Sequence, residues 1–338
     1  MTLFYLRPYT PNWDQWVSYG MEFECLVPNN VRLEQLLRDV LRPFGHKIYS
    51  TNYTDRRQYN NRWKIKRDAS VRTANADYRA GNGYEVITPV LYGHIDRTPV
   101  KAVLDAMLQA KCAVNSSCGL HTHLGIPSFF SFVESEHDEN ATPVPVILKN
   151  RRMRFDDLGE TNVHNLLQWL VDATQEFEAC FDMIVPYSRR RSREDYCQSI
   201  RQSRSASHYR NSIHNLSHTN ILISTSRRRK WNYSNVRSLG TVEMRQFNGT
   251  LDYEKVASWV WLVSRFVHKA FSTKLRAANR TRRFIDLIAF LRADRDGWGR
   301  DERTKQFVQY LRRRAKLFAQ FESPEGDWGA SHKWQSMD

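Results

Sequence analysis

Apolar and polar residues alternate from residue 19 to 27, in Tyr19-Gly20-Met21-Glu22-Phe23-Glu24-Cys25-Leu26-Val27, and this period of two predicts a strand with Glu22 and Glu24 on one face. Pro28, Asn29 and Asn30 end it and cap a helix over residues 31–44, where Leu33, Leu36, Leu37, Val40 and Leu41 recur at helical spacing. Strands are predicted at 63–67, at 84–88 between a Gly81-Asn82-Gly83 turn and Pro89, and at 118–126, stopped by Pro127. Thr98 and Pro99 open a helix that runs to about Lys111. Residues 134–160 show no period and carry Pro143 and Pro145, as a loop or insertion does. Helical spacing returns over 162–181, followed by strands at 218–224 and 240–247 around the basic turn Arg227-Arg228-Arg229-Lys230. Helices at 253–271, 281–292 and 301–321 precede a loose polar tail, 323–338. Strands carry the chemical positions and long helices lie between them, which predicts an α+β fold: an antiparallel sheet with helices packed on one side.

Composition supports a globular chain: 338 residues, 41% of them hydrophobic, suffice for one large domain or one and a half. No apolar run approaches the ~18 residues that span a bilayer, and residues 1–8 lack the pattern of a secretory leader, so a cytoplasmic location without membrane contact is expected. Five cysteines without Cys-x-x-Cys spacing read as reduced, buried thiols. The net charge of +15 is local: residues 186–237 carry 12 Lys and Arg against 2 Asp and Glu, and residues 265–316 carry 16 against 5. Such tracts attract nucleotide, nucleic acid or another anionic polymer, or else form a solvated helix face.

Spacing then groups the chemistry. Glu22 with Glu24, and His121 with His123, are two residues apart on predicted strands and share a face. Either pair alone is ordinarily a solvated strand face. Glu85 and Glu243 on two further strands make a carboxylate-rich set, which suits magnesium or manganese better than zinc. Arg245 beside Glu243 is either a plain salt pair or a guanidinium that clamps a phosphate oxygen. Neither a Gly-x-x-x-x-Gly-Lys-Ser/Thr loop nor a Gly-x-Gly-x-x-Gly turn is present, so a nucleotide would be held by metals and by arginines such as those of Ser188-Arg189-Arg190-Arg191.

The order Gly20-Met21-Glu22-Phe23-Glu24, Trp63 with Asp68-Ala69-Ser70, Tyr84-Glu85-Val86-Ile87-Thr88-Pro89, Cys118-Gly119-Leu120-His121-Thr122-His123, Pro186-Tyr187-Ser188-Arg189-Arg190 and Thr241-Val242-Glu243-Met244-Arg245 resembles the putative amidoligase family, within the glutamine synthetase and glutamate-cysteine ligase superfamily. The resemblance covers roughly residues 19–271. It implies a glutamine-synthetase-like catalytic sheet, curved into a half-barrel, in a domain of residues 1–273, with a basic helical extension at 274–322. It implies that Glu22, Glu24, Glu85, Glu243 and His121 hold magnesium or manganese ions, and that His123 sits beside ATP. Arg245 would contact the transferred phosphoryl group with Arg189 and Arg190 assisting, and Asp68 would meet the substrate amine or a metal. An asparagine before the last site strand belongs to the pattern, and Asn211 and Asn220 both compete for it.

The activity so implied is ATP-dependent joining of a carboxylate to an amine through an acyl phosphate. The carboxylate and amine partners would be amino acids, peptides, polyamines or a modified polymer. A kinase on the same scaffold, a zinc hydrolase built on His121 and His123, and a nucleic-acid-binding protein with a degenerate site are the competing readings. The last would use the basic tracts with Trp231, Tyr233 and Trp298 as stacking groups.

Overall fold

The computed structural model describes residues 5–7, 17–51, 62–73, 75–129, 131–133, 144–145, 160–190, 197–199, 228–274, 282–292 and 302–319. Its strands and helices, in chain order, are β1 (Tyr5–Arg7), β2 (Ser18–Pro28), α1 (Leu33–Leu41), β3 (Lys47–Ser50), β4 (Arg62–Arg67), β5 (Tyr78–Ile87), β6 (Leu91–Tyr92), α2 (Val100–Gln109), β7 (Gly119–Gly125), β8 (Ser131–Val133), β9 (Val144–Pro145), α3 (Glu160–Asp182), β10 (Trp231–Asn232), α4 (Val236–Leu239), β11 (Thr241–Asn248), α5 (Tyr253–Thr273), α6 (Phe284–Arg292) and α7 (Glu302–Phe318). The predicted strand at 218–224 and the tail at 323–338 lie outside the described residues, as does nearly all of the 134–160 segment.

An open eight-stranded sheet runs in the order β10-β11-β7-β2-β5-β4-β3, with β6 added beside β2, and β1, β8 and β9 form a separate small sheet. The fold is α+β. Its large sheet is antiparallel except at one edge, where β3 pairs parallel to β4. Antiparallel pairing throughout was the expectation. β3 is an edge strand with one buried residue, Ile48, so its hydrophobic pattern carries little information about direction or register.

Alternation along β2 divides the sheet into two faces. Tyr19, Met21, Phe23 and Cys25 point to one side, aligned with Leu120 and Leu124 of β7, Val86 of β5 and Ile65 of β4. These residues belong to one continuous buried core with the inner faces of α1, α2, α3, α5, α6 and α7. α5 supplies much of it and packs on α2, α3, α6 and β7. Phe266 stands edge-on to Phe181, Phe177 and Phe290, and Trp259 stacks on Phe247 of β11. Each large aromatic buried this way contributes on the order of 2 kcal/mol through area removed from water. Because the apolar face is covered, the other face, with Gly20, Glu22, Glu24, Glu85, His121 and His123, is the one left for polar chemistry.

Two local expectations are corrected. The Gly81-Asn82-Gly83 segment is no turn between strands: it lies within β5, where Gly83 faces Leu26 and the ladder to β2 shifts register between Gly83 and Tyr78. What Gly83 supplies is close approach, since a Cβ there would stand 2.3 Å from Val71 Cβ and 2.4 Å from the Asp68 carbonyl. Asn29 and Asn30 also do not cap α1, whose N-cap is Arg32 with no side-chain cap bond. Among the described residues no helix is long and apolar enough to cross a membrane.

Candidate active site

Four neighbouring strands converge on the polar face. Register pairs Glu22 with His121, Gly20 with His123, and Glu243 with His123, so β2, β7 and β11 place their polar side chains in adjacent rows. Glu85 of β5 lies opposite Glu24. His121 Nδ1 donates to Glu22 Oε2 at 3.0 Å and stands 3.5 Å from Glu243 Oε1, while its Nε2 is 3.5 Å from Glu24 Oε1. His123 Nε2 is 3.2 Å from Glu22 Oε1. Arg245 Nη1 donates to Glu243 Oε1.

Secondary contacts fix the carboxylates. The Gly119 amide donates to Glu24 Oε2 at 2.6 Å, and Asn232 Nδ2 donates to Glu243 Oε2 at 2.6 Å. Between Met244 and Phe247 the ladder shifts by one residue, so Arg245 and Gln246 together oppose the single residue His121. Such a bulge re-aims side chains. Here Arg245 turns to the polar face, while Gln246 donates to Asp182 Oδ1 and to the Arg189 carbonyl. The turn Tyr187–Arg189 is thereby tied to β11.

Glu24, Glu85 and Glu243 are 7%, 9% and 2% exposed, so three carboxylates sit almost out of water within reach of a fourth. Burial pushes the Glu85 carboxyl well above the usual range, the negative charge of Glu22 and a hydrogen bond to it push it further, and Lys66 offsets part of this. For Glu22 burial acts upward too, but His123 and His121 outweigh it and hold the carboxyl well below that range. His123 is raised: burial would lower it, and Glu243 and Glu22 overcome that. Buried carboxylates crowded together are stable only with compensating positive charge. One ligand atom each from Glu22, His121 and Glu243 lies within 4.8 Å of the others, and this mostly oxygen donor set fits a hard divalent cation. An anion fits beside it. Arg189 is 8% exposed, its Nη1 donates to Cys197 Sγ at 3.6 Å, and its Nε and Nη2 have no hydrogen-bond partner among the described residues.

The profile of the family described as "Putative amidoligase enzyme" matches residues 15–136 and 159–267, a span that holds every residue of this cluster. The chain belongs to that family. A solved structure described as a novel glutamine synthase homolog is similar to this chain at 12% identity and a TM-score of 0.41, over 94% of this chain and 70% of that one. No curated protein matches it.

The fold brings together Glu22, Glu24, Glu85, His121, His123, Glu243 and Arg245, and sets Arg189 beside them. A Cβ on Gly119 would lie 2.8 Å from Arg189 Nη2 and 3.0 Å from His121 Nε2. Two expected residues make their hydrogen bonds to other groups. Arg190 donates to the carbonyls of Val185 and Phe318, both at 2.9 Å, and its guanidinium lies over the Phe318 ring, because consecutive residues of a tight turn point apart. Asp68 accepts from the amide and hydroxyl of its neighbour Ser70 and closes the turn after β4. Asn211 and Asn220 lie outside the described residues, and the asparagine seen on Glu243 is Asn232, not considered from sequence. Its signal was faint: β10 is two residues long, and residues 233–240, with the short helix α4, separate it from β11.

Trp231 and Tyr233 are 1% and 0% exposed, which removes both as stacking platforms for bases; Trp298 lies outside the described residues. The five cysteines are buried. Burial pushes the Cys112 and Cys118 thiols up to about 12, leaving almost no thiolate for nucleophilic work.

Proposed function

We propose that this protein is an ATP-dependent carboxylate-amine ligase that works through an acyl phosphate. The observation that supports this most directly is the juxtaposition, on one sheet face, of four carboxylates and two imidazoles with Arg245 and with the buried Arg189, whose Nε and Nη2 have no hydrogen-bond partner among the described residues.

Glu22, Glu24, Glu85, Glu243 and His121 would hold magnesium or manganese, with the Gly119 amide and Asn232 keeping Glu24 and Glu243 oriented. Bound divalent cations supply neutralisation of phosphate oxygens and of the charge that develops on the departing oxygen. His123 lines the nucleotide side. Arg189 and Arg245 would bind the equatorial oxygens of the phosphoryl group as it moves from ATP to a substrate carboxylate oxygen, with ADP leaving. An amine nitrogen then attacks the acyl carbon, the C–O bond to phosphate breaks, and phosphate and one proton leave as the amide forms.

The reading is tested by ADP release with magnesium over pools of carboxylates and amines, with mass spectrometry of the product. Amine-dependent ADP release with a new amide mass is expected. Glu22→Gln should abolish turnover while leaving the circular dichroism spectrum unchanged, and amide formation retained by that variant would refute the assignment.

A further inference from the structure

Arg189 turns its guanidinium toward the cluster with little of its own to hold it there. Among the described residues that side chain makes one hydrogen bond, the 3.6 Å contact with Cys197 Sγ. Sulfur is a weak acceptor, so the aim of the side chain is inherited from its backbone, in the turn Tyr187–Arg189. The turn therefore has to be seated well, because a shift of about 1 Å in a positioning group can cost a hundredfold in rate.

The end of α7 supplies the seat. Arg190, next to Arg189, donates from Nε to the Val185 carbonyl and from Nη2 to the carbonyl of Phe318, the last residue of α7, both at 2.9 Å. Arg314 of α7 is 3% exposed; its Nε donates to the Ile184 carbonyl at 2.8 Å and its Nη2 to Asn248 Oδ1 at 3.3 Å. Its guanidinium also lies 4.8 Å from the centre of the Phe247 ring. Ile184 and Val185 follow the end of α3, so both guanidiniums sit where a helix C-terminus leaves carbonyls without partners of its own. Each bond singly is ordinary capping. Their convergence is not: three of them join α7 to neighbours of Arg189, two to residues 184–190 and one to Asn248. Asn248 pairs across the ladder with Gly119, the residue whose missing side chain makes room for the Arg189 guanidinium.

We propose that α7 is a working part of the active site, with Arg314 and Arg190 as positioning residues that aim Arg189 at the terminal phosphoryl group of the nucleotide. Arg190 then serves that group through the backbone and not by touching it. The role of Arg189 here rests on the ligase reading, whereas the seating of its turn on α7 does not.

Two measurements on the full chain test this. Amide hydrogen exchange reads the turn, where the Arg189 and Arg190 amides donate to the Pro186 and Tyr187 carbonyls. Calorimetry with magnesium compares the β,γ-imido analogue of ATP with ADP, which lacks the group that Arg189 would bind. Wild-type protein is expected to prefer the analogue about tenfold, as charge-assisted hydrogen bonds allow, and Arg189→Gln to lose most of that. Arg314→Gln and Arg190→Gln should each cut the preference to about threefold or less and speed exchange of the two turn amides about tenfold, with exchange in β2 and β7 unchanged. Neither should lower the preference further when combined with Arg189→Gln, since both act through it. Arg190→Lys, which still reaches one carbonyl, should keep more of the preference than Arg190→Gln. Arg312→Gln, on the exposed side of α7, should change neither reading. Arg314 is buried, so if its variant does not fold, the half-buried Arg190 decides. A folded Arg190→Gln or Arg314→Gln variant that keeps either the preference or the protection, or a loss that adds to that of Arg189→Gln, overturns the proposal. Should wild-type protein not prefer the analogue, the ligase reading fails, and exchange alone decides the seating of the turn: faster in Arg190→Gln supports it, unchanged overturns it.

Discussion

Single side chains in this protein are held by short polar contacts, and Gly119 shows how little room they leave. Its amide anchors Glu24, and its missing side chain leaves space for the Arg189 guanidinium and the His121 ring. The atoms a Cβ would displace are far ends of side chains, not backbone. Gly119→Ala is therefore expected to cost less than about 2 kcal/mol of stability while reducing turnover by a hundredfold or so, as misplacement of positioning groups does. Urea unfolding and steady-state rates on one preparation check this, and a variant as active as wild type would show that Arg189 and His121 need not keep these positions. The pairs Glu22 with Glu24 and His121 with His123 were legible in the sequence because a shared strand face follows from spacing alone. Arg189 and Arg190 were not separable by spacing: a tight turn aims one at the cluster and the other at the Phe318 carbonyl, and nothing in two adjacent arginines says which.

At the scale of elements, α3 is locked to the sheet by charge as well as by packing. Lys230, 0% exposed just before β10, donates to Glu178 at 3.1 Å and to Asp182 at 2.5 Å, and Gln246 of the β11 bulge also donates to Asp182. Lys230→Met would leave the buried Glu178 and the partly buried Asp182 without their cation, so a loss of about 3–5 kcal/mol is expected in denaturant unfolding. A loss below about 1 kcal/mol would mean that water or protonation relieves the pair. In the sequence Lys230 closed a basic tract that suggested an anionic partner. In the fold the last two residues of that tract turn inward, with Arg229 Nη1 on the Ser199 carbonyl and Lys230 in the core, while Arg228 stays exposed. Charge composition could not reveal this, because burial depends on acidic residues some fifty positions earlier. The elements themselves were readable wherever the apolar period was long, as in β2, β7, β11 and α5. They were misread where glycine suggested a turn, at 81–83, and missed where strands were two to four residues long, as in β3, β6 and β10.

For the molecule as a whole, stability should respond to acid through a group far from the polar face. His268 of α5 is 1% exposed, and burial first, then the charges of Arg265 and Lys269, hold its imidazole well below the ordinary value. Below pH ~6.5 the unfolded chain takes up a proton that the folded chain refuses, so this contribution is complete above that pH and is lost as pH falls, by about 1.4 kcal/mol per unit. His268→Gln, which keeps an acceptor for Arg265, should flatten the stability profile between pH 6.5 and 5.5 by close to one proton; an unchanged slope would show that His268 is protonated when folded. The α+β class, the covered apolar face and the carboxylate, imidazole and guanidinium pairs were set by local periodicity, since residues two apart on a strand share a face in any fold that keeps the strand. Which strands became neighbours, the parallel pair at the edge, the bulge that aims Arg245, the bond from Asn232 to Glu243 and the alignment of Lys64 and Lys66 with Glu85 arise from register between segments distant in the chain. Register is chosen by the packing of the whole core, so no local stretch of residues contains it.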